Sequence, residues 1–459
     1  MNRNVYVNRT LNLKKIKAIG LDMDHTLIRY HTEEFEKLSH KIIKEKLVKN
    51  KNYPEAVLEL PFDYDLTIRG LVIDRKKGHL LKLNRHSAIR ASHYGLKPLD
   101  FKLQQKTYKS TYIDLGSADY LAIDTSFSIS LATLFAQIVE LKSQHPEKGY
   151  PEHAIIADDV LSTLDEAHRD GSIKSLVGLN LQKFIIKDPR LVEGLEKFKR
   201  HGKKIFIVTN SDFHYTKLLL DYAIQPFVKE CSHWSELFEI IITSAQKPRF
   251  FFDDSKLLRV NPKDGTMTNF EGKLGPGIYQ GGCAHQFTRD LELEADEILY
   301  IGDHIYGDIL RLKKDCGWRT AMVIEELAHE VEVNTKVTGI VEKIEILMKV
   351  KEPFEDELTE LMTEKIESQA SITDERISEL QEKISKIDSE ISALIRQQQG
   401  EYNKNWGQLM RAGNEESYFA YQVERYACVY MSKLSDLFAL SPRTYFRAPR
   451  KALSHEIPQ

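Results

Sequence analysis

Three continuous apolar runs along the chain each end in polar residues. They cover 15–22 (KIKAIGLD), 203–209 (KKIFIVT) and 297–303 (EILYIGD). Runs without polar alternation are typical of strands buried on both faces of a parallel sheet. Helical patterns at 190–201 and 307–316 flank the second and third runs, which is the alternation of a doubly wound sheet. Since ligands bind beyond the carboxyl ends of such strands, we expect an α/β fold with its site where these runs end.

About 180 residues separate the first and second runs, too many for one crossover, so a segment is inserted there. Short strands joined by a turn are predicted within 60–83, and a helix within 124–142. We therefore divide the chain into a first core part at 1–84, a cap insertion at 85–150, a second core part at 151–350 and a helical C-terminal segment packing on the core at 351–459.

The segment 373–399 carries apolar residues at alternating spacings of three and four, the pattern of an a/d seam. They are Ile377, Leu380, Ile384, Ile387, Ile391 and Leu394. Because the seam spans only about two and a half heptads, it favours an antiparallel helical hairpin within one chain. An oligomer-forming coiled coil is the alternative.

Composition narrows the class of protein. The 459 residues include 65 Lys and Arg against 68 Asp and Glu, a net charge of −3, so the basic excess of a nucleic-acid-binding protein is missing. Four dispersed cysteines form no CxxC, which argues against a disulfide scaffold or a cysteine-rich zinc site. With no apolar signal segment and no run of 18 apolar residues, we expect a cytoplasmic protein with no membrane partner.

Two carboxylates, Asp22 and Asp24, end the first run in the sequence DMDHT. Neighbouring carboxylates repel and need a cation, and Mg²⁺ together with a phosphate is a common solution. One aspartate can then attack a phosphoryl group to form an aspartyl-phosphate. The other can protonate the leaving oxygen and afterwards activate water. Taken alone, the motif also fits an acidic turn after a strand.

Further candidates follow the other strands, and each alone also fits a plain turn, helix cap or surface lysine. A Thr-Asn-Ser turn can cradle phosphate oxygens, and a lysine can neutralise the transferring phosphoryl group. The acid that ends the third run can complete a Mg²⁺ site, with the acid five residues on supporting it. These residues are Thr209, Asn210, Ser211, Lys247, Asp303 and Asp308.

Occurring together in this order, these motifs resemble the haloacid dehalogenase (HAD) superfamily of phosphohydrolases. The stretches GLDMDHTL, TNSDFHYT, LYIGDHIYGDIL and YFRAP, spread over nearly the whole chain, are similar to the family of cytosolic purine 5′-nucleotidases. The resemblance implies a HAD-type Rossmann-like core with a cap and a homo-oligomeric assembly. It also implies Mg²⁺-dependent hydrolysis of purine nucleoside 5′-monophosphates, IMP and GMP preferred, with phosphate transfer to nucleosides as a second activity.

The resemblance also assigns roles to individual residues. It makes Asp22 the nucleophile and Asp24 the general acid/base, with Asp22, Asp303 and the main-chain carbonyl of Asp24 as Mg²⁺ ligands and Asp308 as a supporting acid. The implied phosphate-binding residues are Thr209, Asn210, Ser211 and Lys247. The implied base-binding residues are Phe127, which can stack on a purine, Asp165, His168 and Lys174. Without the resemblance, Phe127 and His168 would be taken for structural residues.

One departure from the family pattern leaves the base preference open. Leu161 stands where the family has a base-contacting arginine, so the donors that would read a purine oxygen are missing. A HAD phosphatase of another small ester, such as a sugar phosphate, is the alternative. A non-catalytic nucleotide-binding scaffold would not need Asp24.

A second departure concerns the ATP-like effector site of the family. Asp114 and Asp124 replace an Arg and an Asn there, although four other positions agree, namely Tyr306, Lys314, Gln422 and Arg425. Because two acids repel a polyphosphate, we expect little or no activation by ATP. Initial rates over a range of substrate, with and without ATP, test this, and a marked rise in kcat or fall in KM would contradict it.

Overall fold

The computed structural model describes residues 4–109, 113–367 and 374–456. Within them, one ten-stranded sheet carries the fold. In chain order its strands are β1 (Val5–Val7), β2 (Ala18–Leu21), β3 (Lys204–Val208), β4 (Ile240–Thr243), β5 (Leu257–Val260), β6 (Met267–Asn269), β7 (Gly277–Gly281), β8 (Ile298–Gly302), β9 (Arg319–Val323) and β10 (Val429–Met431).

The order across the sheet is β1-β10-β9-β8-β2-β3-β4-β7-β5-β6. The strands from β10 to β7 run parallel, and antiparallel strands flank them on both sides. After β2, the strands β3 and β4 add to one side of β2 in turn, and β8 later pairs with β2 on its other side. This confirms the predicted α/β class with a Rossmann-like parallel sheet.

The central strands are apolar because both faces of the sheet are covered. Every residue of β2, β4 and β8 is buried. At Gly20, in the middle of β2, a Cβ atom would lie 2.4 Å from the ring of Phe206 and 2.6 Å from the ring of Tyr300. Glycine therefore allows two aromatic rings from the neighbouring strands to meet over β2.

A second, five-stranded antiparallel sheet lies in the inserted region, between the helices Thr32–Lys51 and Ile129–Gln144 along the chain. Its strands, in order across the sheet, are Lys97–Pro98, Ile89–Tyr94, His79–Leu83, Leu71–Asp74 and Tyr120–Ala122. The second and third of these pair with each other across the predicted boundary between residues 84 and 85. The sheet thus begins before the predicted start of the cap, and the division at that point stays a prediction.

Helices fill the remaining connections, and the α-helices of the described residues are Thr32–Lys51, Phe101–Tyr108, Ile129–Gln144, His153–Arg169, Ser172–Leu179, Leu181–Phe184, Pro189–Arg200, Phe213–Ala223, Ala284–Asp290, Leu327–Glu367, Asp374–Gly400, Tyr418–Tyr426 and Leu434–Phe438. Two π-helical segments, Ile305–Leu310 and Leu312–Cys316, lie where the sequence predicts a helix at 307–316. Short strand pairs join Leu11–Asn12 to Tyr445–Phe446, Arg29–Tyr30 to Ile185–Ile186, and Arg411–Ala412 to Glu415–Glu416. No helix of the described ranges has the length and apolar character needed to cross a membrane.

The chain forms two compact units. One holds the described residues up to Glu326 together with those from Met410 onward, and the other lies within Leu327–Leu409. The predicted boundary at 351 therefore falls inside the helix Leu327–Glu367. Because β10 belongs to the main sheet, the last part of the chain contributes to the core unit rather than only covering it.

In the smaller unit, two long helices pair with each other. The Nζ atom of Lys351 lies 2.9 Å from Oδ1 of Asp388, and Nε of Arg376 lies 2.8 Å from Oε1 of Glu357, so the helices run antiparallel. Three seam residues are buried in this arrangement, namely Ile377, Leu380 and Ile391. The seam thus packs within a hairpin; residue 373, the first of the predicted segment, lies outside the described residues.

Glu36, on the helix Thr32–Lys51, has a buried side chain that accepts a hydrogen bond from the amide of Ser130 at 2.6 Å. Burial raises the pKa of Glu36 from 4.5 to about 7. Between pH 4.5 and pH 7 the folded chain therefore keeps a proton on Glu36 that the unfolded chain has lost, and stability falls as pH rises through this range.

We predict that Glu36→Gln stabilises the fold by about 1–3 kcal/mol at pH 8 and by much less at pH 5. Thermal denaturation at both pH values measures this, and an equal effect at both would contradict it.

Candidate active site

The carboxyl ends of the central strands bring the predicted residues to one edge of the sheet. Leu21, at the end of β2, is in register with Ile207 of β3 and Ile301 of β8. The next residue, Asp22, donates its amide to the carbonyl of Ile301 at 2.8 Å. Parallel pairing therefore places the polar residues that follow β2, β3 and β8 side by side.

An acidic cluster forms at this edge from Asp22, Asp303 and Asp308. Each offers a carboxylate oxygen, and the three oxygens lie within 4.8 Å of one another. The Nζ atom of Lys247 lies 2.6 Å from Oδ1 of Asp22 and 2.6 Å from Oδ1 of Asp308. One ammonium group thus faces three carboxyl groups, and Oδ2 of Asp303 is buried without a hydrogen-bond partner in the described structure. Such a cluster fits an oxygen-liganded divalent cation such as Mg²⁺.

The pKa values of the cluster follow from burial and from this charge balance. Burial raises the pKa of Asp22 to about 7, against the opposing effect of Lys247. Burial also raises the pKa of Asp303, and the charge of Asp22 adds to the effect. Burial lowers the pKa of Lys247, but the carboxylates of Asp22 and Asp308 raise it well above its usual value. The lysine therefore stays charged, while full ionisation of the acids requires a further positive charge.

Lys247 is held from both its backbone and its side chain. Asn210 accepts a hydrogen bond from the amide of Lys247 at 2.6 Å and donates one to its carbonyl at 3.1 Å. The ammonium group lies 3.1 Å from the hydroxyl of Tyr300. Ser244 and Gln246 adopt positive φ angles of 43° and 59°, a backbone conformation that is uncommon outside glycine. The loop after β4 is thus shaped to present this lysine.

All three residues of the Thr-Asn-Ser turn have partners inside the protein, and Asn210 binds the backbone of Lys247. Thr209 is fully buried, and its Oγ1 accepts a hydrogen bond from the amide of Ser211 at 3.0 Å. The hydroxyl of Ser211 donates to Oδ2 of Asp24 at 2.7 Å. Ser211 and Asn210 line the cavity described next, whereas Thr209 does not.

A cavity of about 730 Å³ extends from the acidic cluster, a size typical of small-molecule sites. It brings together the predicted residues other than Thr209. Those lining it are Asp22, Asp24, Phe127, Asp165, His168, Lys174, Asn210, Ser211, Lys247, Asp303 and Asp308. Asp124, which the family resemblance assigns to an effector site, also lines the cavity, and its Oδ1 lies 3.7 Å from Nδ1 of His304.

The end of the cavity with the predicted base-binding residues combines aromatic rings with charged side chains. The ring centroid of Phe127 lies 5.3 Å from that of His168 in an edge-on arrangement. Burial, followed by the charge of Lys174, lowers the pKa of His168 to about 4, so this ring is neutral at pH 7. The ammonium group of Lys174 is paired with Oδ2 of Asp212 at 3.1 Å. Burial raises the pKa of Asp165.

Sequence reasoning missed several residues of this site. Arg69, fully buried, donates to the carbonyl of Asp303 at 3.1 Å and pairs with Glu326; no motif marks it. Tyr30 donates to Oδ1 of Asp24 at 2.6 Å. Arg169 lines the cavity, and its helical spacing of four from Asp165 could have indicated this.

Comparison with known proteins identifies a family and several relatives. Residues 5–458 match the model of the 5′ nucleotidase family. A 5′-nucleotidase domain-containing protein of Dictyostelium discoideum is 26% identical over 99% of this chain and 75% of its own length. The 5′-nucleotidase domain-containing protein 2 of Homo sapiens is 25% identical over 99% of this chain and 85% of its own. The chain thus matches these relatives over nearly all of its length.

Solved structures offer a weaker likeness. A predicted phosphoglycolate phosphatase from Haemophilus somnus is 14% identical, covering 67% of this chain and 85% of its own, with a TM-score of 0.29. A HAD-superfamily hydrolase from Geobacter sulfurreducens is 12% identical, covering 67% and 87%, with a TM-score of 0.27. Scores this low carry no argument, and the fold rests on the sheet topology above.

Removing the ammonium group of Lys247 tests the charge balance. Lys247→Met leaves the acidic cluster without the cation that contacts two of its members, which costs about 3–5 kcal/mol for a buried pair. We expect a lower unfolding temperature in EDTA and partial recovery on adding Mg²⁺, because a cation held by the cluster would stabilise the folded state. Thermal denaturation measures both, with Lys263→Met at an exposed position as the control. Wild-type stability of Lys247→Met in EDTA would contradict this account.

Proposed function

The chain belongs to the 5′ nucleotidase family of hydrolases, and from this premise we propose that it hydrolyses purine nucleoside 5′-monophosphates, with IMP and GMP preferred. One observation carries the proposal: a single cavity joins an acid–lysine cluster to an aromatic end. The acid–lysine cluster suits a phosphoryl group, and the aromatic end suits a planar base. Because both line the same cavity, one nucleotide can contact both.

In the proposed first step, Asp22 attacks the phosphorus atom. Its Oδ1 already contacts Lys247 at 2.6 Å and the amide of Met23 at 2.7 Å, which leaves Oδ2 to form the new bond. As the P–O5′ bond breaks, its electron pair passes to O5′, and a proton from the carboxyl of Asp24 joins that oxygen. The products of this step are the nucleoside and an aspartyl-phosphate at Asp22.

In the second step, a water molecule attacks the phosphorus atom and gives its proton to Asp24. The Asp22–phosphorus bond breaks, and inorganic phosphate leaves with the aspartate restored. A nucleoside hydroxyl in place of water would give phosphate transfer, which we propose as a second activity. Lys247 neutralises charge on the phosphoryl oxygens in both steps.

We propose Mg²⁺ as the cofactor, held by Asp22, Asp303 and the main-chain carbonyl of Asp24, with Asp308 supporting. The unpartnered Oδ2 of Asp303 and the excess of carboxyl groups support this assignment. A bound Mg²⁺ would offset the charge of the acids and of the phosphoryl group. Arg69 holds the Asp303 loop through its carbonyl.

At the base end, Phe127 would stack on the purine, and Asp165, His168 and Lys174 would bind its polar edge. The neutral His168 can donate one hydrogen bond and accept another. Support for this reading is the position of all four residues in the cavity lining. The homo-oligomeric state and the cytoplasmic location stay predictions that the resemblance implies.

Phosphate release from IMP, GMP, AMP, CMP and glucose 6-phosphate, with Mg²⁺ or EDTA, tests the proposal. We expect EDTA-sensitive release that favours IMP and GMP. Broad release including the sugar phosphate would instead support a general HAD phosphatase. No release from folded protein would overturn the enzymatic proposal.

Asp22→Asn provides the mechanistic test. An amide can neither attack the phosphorus atom nor carry the phosphoryl group, so we expect turnover to fall by at least about a thousandfold. Circular dichroism should show an unchanged fold, and hydrolysis close to wild type would refute the proposed nucleophile.

A further inference from the structure

The carboxylate of Asp24 is held at both of its oxygens. The phenol of Tyr30 donates to Oδ1 at 2.6 Å, and the hydroxyl of Ser211 donates to Oδ2 at 2.7 Å. Such short O–H donors to a carboxylate are among the stronger hydrogen bonds in proteins. They come from two different segments, one after β2 and one after β3, so both oxygens of the carboxylate are held.

Tyr30 is itself held rigidly. It is 1% exposed and pairs through its backbone with Ile185. Its ring is stacked on His25 at 4.7 Å and meets Phe35 edge-on at 5.1 Å. Because the ring cannot shift without disturbing these contacts, the hydroxyl stays at the carboxylate.

A second phenol connects Tyr30 to the base end of the cavity. The hydroxyl of Tyr215 lies 3.1 Å from that of Tyr30. Tyr215 belongs to the helix Phe213–Ala223, whose capping residue Asp212 accepts from the amide of Tyr215 at 2.9 Å. The other oxygen of Asp212 binds Lys174, whose ammonium group lies 5.0 Å from the centre of the Tyr215 ring.

We propose that Tyr30 and Tyr215 are positioning residues that aim the carboxyl of Asp24 at the leaving oxygen, an inference that rests on the proposed acid/base role of Asp24. Tyr30 fixes Oδ1 directly, and Tyr215 fixes the phenol of Tyr30. Neither tyrosine touches the reacting atoms. Their effect therefore falls on the transfer of the proton to O5′ as the P–O5′ bond breaks.

This role predicts a loss that depends on the leaving atom. An alkoxide needs a proton as it departs, whereas a thiolate leaves with the electron pair of its bond and needs none. IMP and its analogue with sulfur at the bridging 5′ position share the base and the phosphoryl group, so they differ mainly in this requirement.

The experiment compares kcat/KM for both compounds in Tyr30→Phe and Tyr215→Phe, because kcat/KM reports the steps up to nucleoside release and excludes the later attack of water, in which Asp24 also takes part. For Tyr30→Phe we expect kcat/KM on IMP to fall about 10- to 100-fold, within the range that general acid catalysis contributes. On the sulfur analogue, kcat/KM should fall less than about threefold. Tyr215→Phe should show a smaller loss with the same selectivity, because Tyr30 keeps its bond to Asp24.

Tyr108→Phe is a matched control, since the phenol of Tyr108 donates to Oδ2 of Asp74 at 2.7 Å outside the cavity. It should leave both substrates unaffected. Equal losses on both compounds in Tyr30→Phe, or no loss on IMP, would overturn the positioning role. Asp24→Asn tests the acid role itself: if its kcat/KM falls equally on both compounds, the proposed acid role of Asp24 fails, whatever the tyrosine variants show.

Discussion

The bridge that Lys247 makes between Asp22 and Asp308 is the contact on which the site depends. Without it, three buried carboxyl groups within 4.8 Å would repel one another. The bridge depends in turn on core packing, because the phenol of Tyr300 contacts the ammonium group. Tyr300 has room for its ring because Gly20 of β2 carries no side chain. The close packing over Gly20 in the middle of the sheet thus helps to place the phenol that contacts Lys247 at the edge.

The two aspartates of the first motif, only two residues apart, lie in different surroundings. Asp22 contacts a charged lysine, while Asp24 contacts two neutral hydroxyl groups. One carboxyl group thus has a positive charge beside it, and the other has hydroxyl donors at both of its oxygens. The turn after β2 provides this separation by directing one side chain toward β4 and β8 and the other toward Tyr30 and Ser211.

The sequence predicts the parts of this molecule that depend on strong local signals. Apolar runs identify β2, β3 and β8, because continuous burial excludes polar residues from those strands. The start of the cap is harder to predict. The strands His79–Leu83 and Ile89–Tyr94 pair across the predicted boundary, and the residue composition does not change between them. Likewise β10, with three residues, is too short to stand out, although it extends the parallel sheet.

The same contrast holds within the site. Residues that follow a buried strand carry a motif, and the structure brings them together, although their roles stay predictions. Arg69 and Tyr30 act through partners distant in the chain or across a turn, such as the carbonyl of Asp303. No spacing rule indicates such contacts, because they are created by packing between elements.

The two ends of the cavity are built by different means, and this bears on how specificity is set. Several strand ends and their loops form the end of the cavity that holds the acidic cluster, so each residue there is fixed by the sheet. At the other end, Leu161, Asp165 and His168 lie at i, i+4 and i+7 of one helix, His153–Arg169, and share one face. A substitution on that face changes what the cavity can recognise while the sheet edge keeps its geometry. The leucine at position 161 is therefore compatible with the arrangement of Asp22, Lys247 and Asp303 at the sheet edge.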